Sequence, residues 1–468
     1  MSADPEFDKR LQAVLARELG DFQTLHACEQ LTAGASQETY KITAQCGSGQ
    51  RELALRRSPP TLSGDSGVGG ISLAAEAKLF QLAGGAGIPG PAVLCVLEPN
   101  DELGAGFLMD WLTGETLGQR IVRADELAQV RPTLAHSCGQ ILGRIHALDW
   151  RSAGLENDLL AVDPATLVND TWALYRSLKV PVPMIDYSWR WLLDNLPAQA
   201  PLKLVHGDFR NGNLMVTPQG INAVLDWELA HIGDPVRDLG WLCVNSWRFG
   251  RSELPVGGFG EISDLLVGYR ETSGLDVSDE QLKFWQVFGS FWWAVTTLQM
   301  ASTWRNGETP SLERPVIGRR SSEAQMDCVD LLIPGPVQPP ESAPPFEEGT
   351  QLPMTGELLS GVIDFLKTEV APALDSRGGF LAKVSANSLQ IAQRELSLGP
   401  ALAAAESTRL VTLTNHSGSL DELRWTLVEQ LRNELPLSTP GLAEHLRATV
   451  AGQLAIDQPR YSALAASG

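Results

Sequence analysis

Between His206 and Glu228 the chain has little freedom in how it folds. Leu214-Met215-Val216-Thr217 and Ile221-Asn222-Ala223-Val224-Leu225 are two β-prone runs, and Pro218-Gln219-Gly220 between them is a turn signal. A tight hairpin is the structure this pattern allows. Polar residues flank it on both sides: His206-Gly207-Asp208 with Asn213 before it, and Asp226-Trp227-Glu228 after it. Asn213 and Asp226 are nearly equidistant from the centre of the turn, six and seven residues from Gln219. A hairpin in register is therefore expected to bring them face to face across the strand pair, close enough to share one metal ion.

The order of these groups has a chemical reading. An aspartate that accepts a hydroxyl proton, followed by an asparagine and a second aspartate that hold Mg²⁺ against nucleotide phosphates, are the parts of a phosphoryl-transfer site. Asp208 is the candidate base, because a carboxylate must lie within hydrogen-bond reach of the attacking hydroxyl. Asn213 and Asp226 are the candidate metal ligands, both oxygen donors suited to Mg²⁺.

With 468 residues the chain is long enough for about three domain-sized units. Its formal net charge of −20 argues against a nucleic-acid or anionic-membrane partner. The six cysteines are scattered without C-x-x-C spacing, so neither a zinc site nor a disulfide framework is expected, and a cytoplasmic setting is the simplest. The start, Met1-Ser2-Ala3-Asp4-Pro5-Glu6, lacks the basic and apolar parts of a signal peptide. The most apolar stretch, Phe288 to Met300, is too short and too polar to span a membrane.

Periodicity predicts a helix over 7–19, strands near 38–45, 51–57, 92–98 and 106–112, and a helix over 72–83. This is a small α+β lobe, placed at 1–112. Helical patterns dominate 113–332, with helices at 131–148 and 236–246 and another opening at Ser278, where Gln281 completes a capping box. Proline at high density makes 333–353 a stiff, extended linker. Residues 354–468 read as all-helical, over 356–372, 379–398, 419–435 and 440–455.

Over residues 20–330 the chain resembles the aminoglycoside phosphotransferase and choline kinase-like superfamily. The residues that carry the likeness are His206-Gly207-Asp208 with Asn213, Asp226-Trp227-Glu228, Gly233-Asp234-Pro235 and Asp238-Leu239. More narrowly, it is similar to the kinase-like domain fused to some acyl-CoA dehydrogenases. The resemblance implies a bilobal protein-kinase-like fold, with an antiparallel-sheet lobe and a helical lobe, and transfer of the ATP γ-phosphate to a small-molecule hydroxyl. It also implies roles for individual residues. Gly34, Ser36 and Thr39 would lie over the phosphates, and Met109 on the strand entering the hinge. Arg56 stands where a phosphate-contacting lysine is usual, with Glu76 as its partner. Arginine keeps the charge, but its planar fork is not equivalent to an ammonium. His206, Asp234 and Asp238 are expected to brace the loops, and His146 to be structural. Residues 354–468 resemble an uncharacterised bacterial domain, through Phe380 to Leu398; dimer formation, docking on the kinase lobes and recruitment of a partner enzyme are its open roles.

Two further readings compete with a small-molecule kinase. A non-catalytic nucleotide-binding scaffold, recruiting a partner through the helical tail, is favoured by Arg56. A protein kinase is opposed by the lack of an Ala-Pro-Glu motif closing an activation segment after Asp226. If the acceptor is a hydroxyacyl-CoA, its phosphates need a basic patch. Arg57, Arg248, Arg251, Arg305, Arg319 and Arg320 are the candidates. An amino alcohol, a sugar or an aminoglycoside needs no such patch.

Overall fold

The computed structural model describes residues 5–33, 37–58, 70–197, 201–308, 311–337, 353–433 and 435–466. The chain forms two compact units, each discontinuous in sequence. One comprises Met1–Asp163, Gln199–Cys243 and Trp247–Leu282; the other comprises Pro164–Ala198, Val244–Ser246 and Lys283–Gly468.

The first unit opens with the helix Pro5–Glu18, whose apolar face packs on a five-stranded sheet through Phe7, Leu11, Val14 and Leu15. Strands β1 (Phe22–Ala33), β2 (Glu38–Cys46), β3 (Gly49–Ser58), β4 (Val93–Val96) and β5 (Ala105–Asp110) run in the order β1-β2-β3-β5-β4, antiparallel throughout. The sequence pattern did not predict β1. Its pairing with β2 shifts register at three places, between Phe22 and Thr24, Leu25 and Ala27, and Gln30 and Thr32. Each shift breaks the two-residue alternation by which a strand is recognised. The helix Leu73–Gly85 begins where Ser72 accepts the Ala75 N–H at 3.2 Å, which places Glu76 in its first turn.

Two short two-stranded sheets carry the loops that follow. β6 (Lys203–Val205) pairs with β9 (His231–Gly233), and β7 (Leu214–Thr217) pairs with β8 (Gly220–Val224). The predicted hairpin is present, but its register is not the symmetric one. Met215 pairs with Ala223 and Val216 with Ile221, so Asn222 is an extra residue on β8. The bulge sets Asn213 opposite Leu225, whose N–H donates to the Asn213 carbonyl at 2.8 Å. Asp226 follows in a left-handed conformation at φ 66°.

Behind these sheets the helices Leu134–His146 and Ile262–Ser273 pack against each other closely. A Cβ at Gly139 would lie 2.1 Å from the Leu265 carbonyl oxygen, so this crossing requires glycine. The capping box at Ser278 forms as expected: its hydroxyl accepts the Gln281 N–H at 3.2 Å, and its own N–H donates to the Gln281 side chain at 3.0 Å.

The second unit is helical. Its helices are Pro164–Ser177, Pro183–Asp194, Glu313–Arg319, Ser321–Leu332, Thr355–Phe365, Ser376–Thr414, Leu420–Arg432, Leu442–Asp457 and Ser462–Ala466, together with most of Asp279–Arg305. The helix expected to end at 398 instead runs 39 residues, with Pro400 inside it. Proline normally ends a helix. Here packing against Thr355–Phe365, Leu420–Arg432 and Leu442–Asp457 supports both halves of one helix. Buried Asp186 ties the second unit together. It accepts from Arg432 Nε at 2.7 Å and from the Tyr175 hydroxyl at 2.9 Å. Of the proline-rich linker, residues 338–352 lie outside the described residues. Among the described residues, no helix is long and apolar enough to cross a membrane, and the six cysteines are unpaired.

Candidate active site

Asp208 sits on the loop between β6 and β7, and every hydrogen bond to its carboxylate comes from a side chain set by a different constraint. Oδ2 accepts from Asn213 Nδ2 at 2.7 Å, across the loop closure. Oδ1 accepts from the Trp241 indole at 2.7 Å and from Arg210 Nε at 2.9 Å. Arg210 in turn stacks on Trp247, 4.3 Å from the ring centroid. Asn213 spends its amide nitrogen on Asp208, both on the carboxylate and on the carbonyl at 3.0 Å. That fixes which way its amide points and leaves the oxygen available to a cation.

The loop is held from behind by one buried carboxylate. Asp238 accepts the backbone N–H groups of His206 and Gly207 at 2.8 and 2.9 Å and meets His146 Nε2 at 3.2 Å. Complete burial alone would push its carboxyl up; the His146 hydrogen bond and the charges around it reverse this and bring it down to about 2. His146 is further held by the Tyr269 hydroxyl at 3.0 Å. His206 Nδ1 accepts the Asp208 N–H at 3.2 Å, so the ring proton sits on Nε2, which donates to the Leu225 carbonyl at 3.2 Å. Burial lowers its pKa, which favours this neutral form. The histidine therefore links the loop before the hairpin to the residue after it. Gly207 has φ 86°, and a Cβ there would lie 2.3 Å from the Leu229 carbonyl oxygen. Asp234 accepts the Val236 N–H at 2.9 Å and so caps the following helix, Val236–Leu242, which is shorter than predicted.

Arg56 on β3 joins Asp226 to the helix carrying Glu76. Its Nη2 lies 2.7 Å from Asp226 Oδ1 and 3.5 Å from Glu228 Oε2, and its Nε lies 3.2 Å from Glu76 Oε2. The Glu76 contact has the distance of an ion pair without hydrogen-bond alignment, and Glu76 Oε1 is buried without a partner. Burial pushes the Glu76 carboxyl up to about 7, although Arg56 pulls the other way. Thr39, Arg56, Met109 and Asp226 all line one cavity of about 570 Å³, with Ala54 and Leu225 among its apolar walls. That volume is in the range of small-molecule and cofactor sites. Gly34 and Ser36 lie outside the described residues.

Sequence reasoning missed two contacts to Asp208. Arg210 was visible as a cation two residues after the aspartate. Trp241 carried no local signal, because only the packing of the Val236–Leu242 helix aims its indole. Most of the arginines considered for a coenzyme A phosphate patch are engaged elsewhere. Arg57 pairs with Glu38, Arg248 donates to the Cys243 carbonyl, and Arg251 pairs with Glu253. Arg319 pairs with Asp457 and Glu395, and Arg320 with Glu323. Arg305 has no ion pair among the described residues.

Asn213 and Asp226 are oxygen donors, as Mg²⁺ requires. Among the described residues no three His, Cys, Asp or Glu side chains are grouped to hold a metal alone. A cation there would take part of its shell from nucleotide phosphates and water, which suits Mg²⁺.

Residues 27–275 match the family described as "Phosphotransferase enzyme family", and residues 372–461 match a domain of unknown function, DUF6285. Mouse acyl-CoA dehydrogenase family member 10 is 31% identical over 220 residues, 46% of this chain and 20% of that protein. Rat acyl-CoA dehydrogenase family member 11 is 29% identical over 252 residues, 51% of this chain and 31% of that protein. The matched part is thus under a third of each of these relatives. Among solved structures, a candidate aminoglycoside phosphotransferase from Ralstonia eutropha aligns at TM-score 0.55 and 19% identity, over 69% of this chain and 97% of that one, a likeness of fold. With its family match spanning more than half of its length, this chain belongs to the phosphotransferase enzyme family.

Proposed function

We propose that the protein transfers the γ-phosphate of ATP to a hydroxyl group of a small molecule, with Asp208 as the base. The observation that carries this reading is the set of contacts around Asp208. Asn213, Trp241 and Arg210 fix its carboxylate in one orientation, and Arg56 holds Asp226 at the edge of a nucleotide-sized cavity. Asp208 accepts the proton of the acceptor hydroxyl as its oxygen bonds to the γ-phosphorus. The bond from that phosphorus to the β–γ bridging oxygen breaks, and the electron pair leaves with ADP. Mg²⁺ held by Asn213 and Asp226 would neutralise the charge on the phosphates. Arg56 has a position to contact the phosphates once they displace Asp226 from its fork. Residues 1–112 would bind nucleotide and residues 113–332 the acceptor. The separate match of 372–461 supports treating 354–468 as an accessory domain.

The names of the mammalian relatives favour an acyl-CoA bearing a hydroxyl as acceptor; the engaged arginines favour a smaller alcohol with no phosphates of its own. The test is Mg²⁺- and ATP-dependent ADP release across hydroxyacyl-CoAs, choline, ethanolamine, sugars, homoserine and aminoglycosides, with Asp208→Ala as the blank. A signal confined to one acceptor class and lost in the blank establishes both activity and substrate class. Equal turnover by the blank overturns the role of Asp208. A second reading, a nucleotide-binding scaffold without turnover, draws on the Arg56–Asp226 contact, which occupies a candidate metal ligand. Tight binding of Mg²⁺-ATP with no turnover of any acceptor would favour it.

A further inference from the structure

Between the two tryptophans that serve Asp208, the chain leaves its unit for three residues. Val244, Asn245 and Ser246 belong to the second unit, whereas Cys243 before them and Trp247 after them belong to the first. Asn245 and Trp247 nevertheless share a single turn of 3₁₀-helix, Asn245–Trp247. Only two peptide planes separate them, so a displacement of Asn245 is passed on to Trp247.

The second unit holds one end of this turn. Asn245 Nδ2 donates to Asp327 Oδ1 at 3.1 Å and lies 3.4 Å from the Ser462 hydroxyl. Asp327 is buried on the helix Ser321–Leu332 and also accepts the Tyr461 hydroxyl, 2.9 Å from Oδ2. Tyr461 is the last residue of the matched segment 372–461 and directly precedes the helix Ser462–Ala466. The first unit holds the other end. The Trp247 carbonyl accepts from Asn211 Nδ2 at 3.2 Å, its ring carries Arg210, and it meets the Trp241 ring edge-on at 5.0 Å between centroids. Arg210 and Trp241 both donate to Asp208 Oδ1.

A tail that only closed an apolar core would have no use for the polar link, because its buried Ala463 and Leu464 already supply apolar burial. A carboxylate is costly to bury unless donors reach it. These two donors to Asp327 come from segments outside its own helix, one from the tail and one from the turn. We propose that Tyr461 is a positioning residue for Asp208, so that the accessory domain sets the two donors of Oδ1 through Asp327, Asn245 and Trp247. Where it concerns turnover, the proposal rests on Asp208 being the base. Loss of the Tyr461 hydroxyl frees Asp327 and Asn245 to shift, and the Trp247 ring moves with Arg210 and Trp241 against it.

The test is nuclear magnetic resonance of the indole N–H groups in the full chain. There are 13 tryptophans, few enough to identify the Trp241 and Trp247 signals by single Trp→Phe variants. Tyr461→Phe should shift both signals and speed solvent exchange of the Trp241 indole proton about tenfold. Asn245→Ala, which cuts the link from its other side, should do the same. Gln453→Met is the control: it removes a neutral donor from Asp457, another buried carboxylate of the second unit, and should move neither signal. With an accepted substrate, Tyr461→Phe should lower kcat about tenfold and leave the KM for ATP within about twofold. Signals unmoved by Tyr461→Phe and Asn245→Ala overturn the proposal. So do signals moved equally by Gln453→Met, which would mean general loosening, and a kcat unchanged by Tyr461→Phe. Signals that respond as expected in a chain that turns over no acceptor overturn the reading of Asp208 as base and leave its positioning by Tyr461 standing.

Discussion

Two buried histidine environments in this molecule have opposite characters. Around Asp208, His206 and His146 have partners on both ring nitrogens, and the carboxylate of Asp238 serves the loop backbone as well. In the helical unit His445 is just as buried and has none. A fully paired network costs little to bury and fixes one geometry, which suits the role proposed for this loop, presenting a carboxylate to a reacting hydroxyl. An unpaired buried ring fixes nothing by itself and leaves the burial of its two nitrogens uncompensated. One environment is scaffold for a site and the other is not.

The largest effect that tests this contrast is on turnover. Asp208→Ala should lower phosphotransfer by about two to four powers of ten while the far-UV circular dichroism is unchanged; a loss of fold instead would make Asp208 part of the scaffold. Next is Asp238→Ala, which strands the His206 and Gly207 N–H groups and His146. We expect a stability loss of about 3–5 kcal/mol by urea denaturation. His146→Phe should cost about 1–3 kcal/mol, because it leaves Asp238 short of a donor, whereas His445→Phe should cost under about 1 kcal/mol. Equal costs at the two histidines would remove the distinction. The smallest effect concerns pH. The Glu76 carboxyl titrates near 7 in the folded chain against an ordinary value of 4.5, so the folded state binds the extra proton. Its contribution to stability is full below pH 4.5 and disappears as pH rises through about 7. Glu76→Gln should flatten that stretch of the stability–pH curve, and an unchanged slope would mean that another group titrates there.

The parts of the site legible in sequence were those fixed by local chemistry. Asp208, Asn213 and Asp226 stood out because a loop, a tight turn and two short strands can be read from a dozen residues. The Ser278 capping box followed from spacing in the same way, whereas the Arg56–Glu76 pairing followed from the family resemblance. Legibility failed where a local rule was overridden. The two-residue turn with the bulge at Asn222 sets Asn213 opposite Leu225 and leaves Asp226 one residue beyond the pairing, a register that the turn residues alone do not specify. The shifts along β1 concealed a strand, and Pro400 marked an end that packing did not respect.

The sequence by itself determined the α+β lobe and the helices beyond it, the loop and hairpin with its three polar residues, and the membership that these motifs implied. It could do so because turn residues, hydrophobic period and capping act over a few positions along the chain. Tertiary structure alone decided that the Trp241 indole orients Asp208, that Asp238 holds the loop and meets His146, and that Arg56 reaches Asp226. Those relations join residues that lie tens to more than a hundred positions apart, and only packing of the helices and sheets that carry them sets their distances.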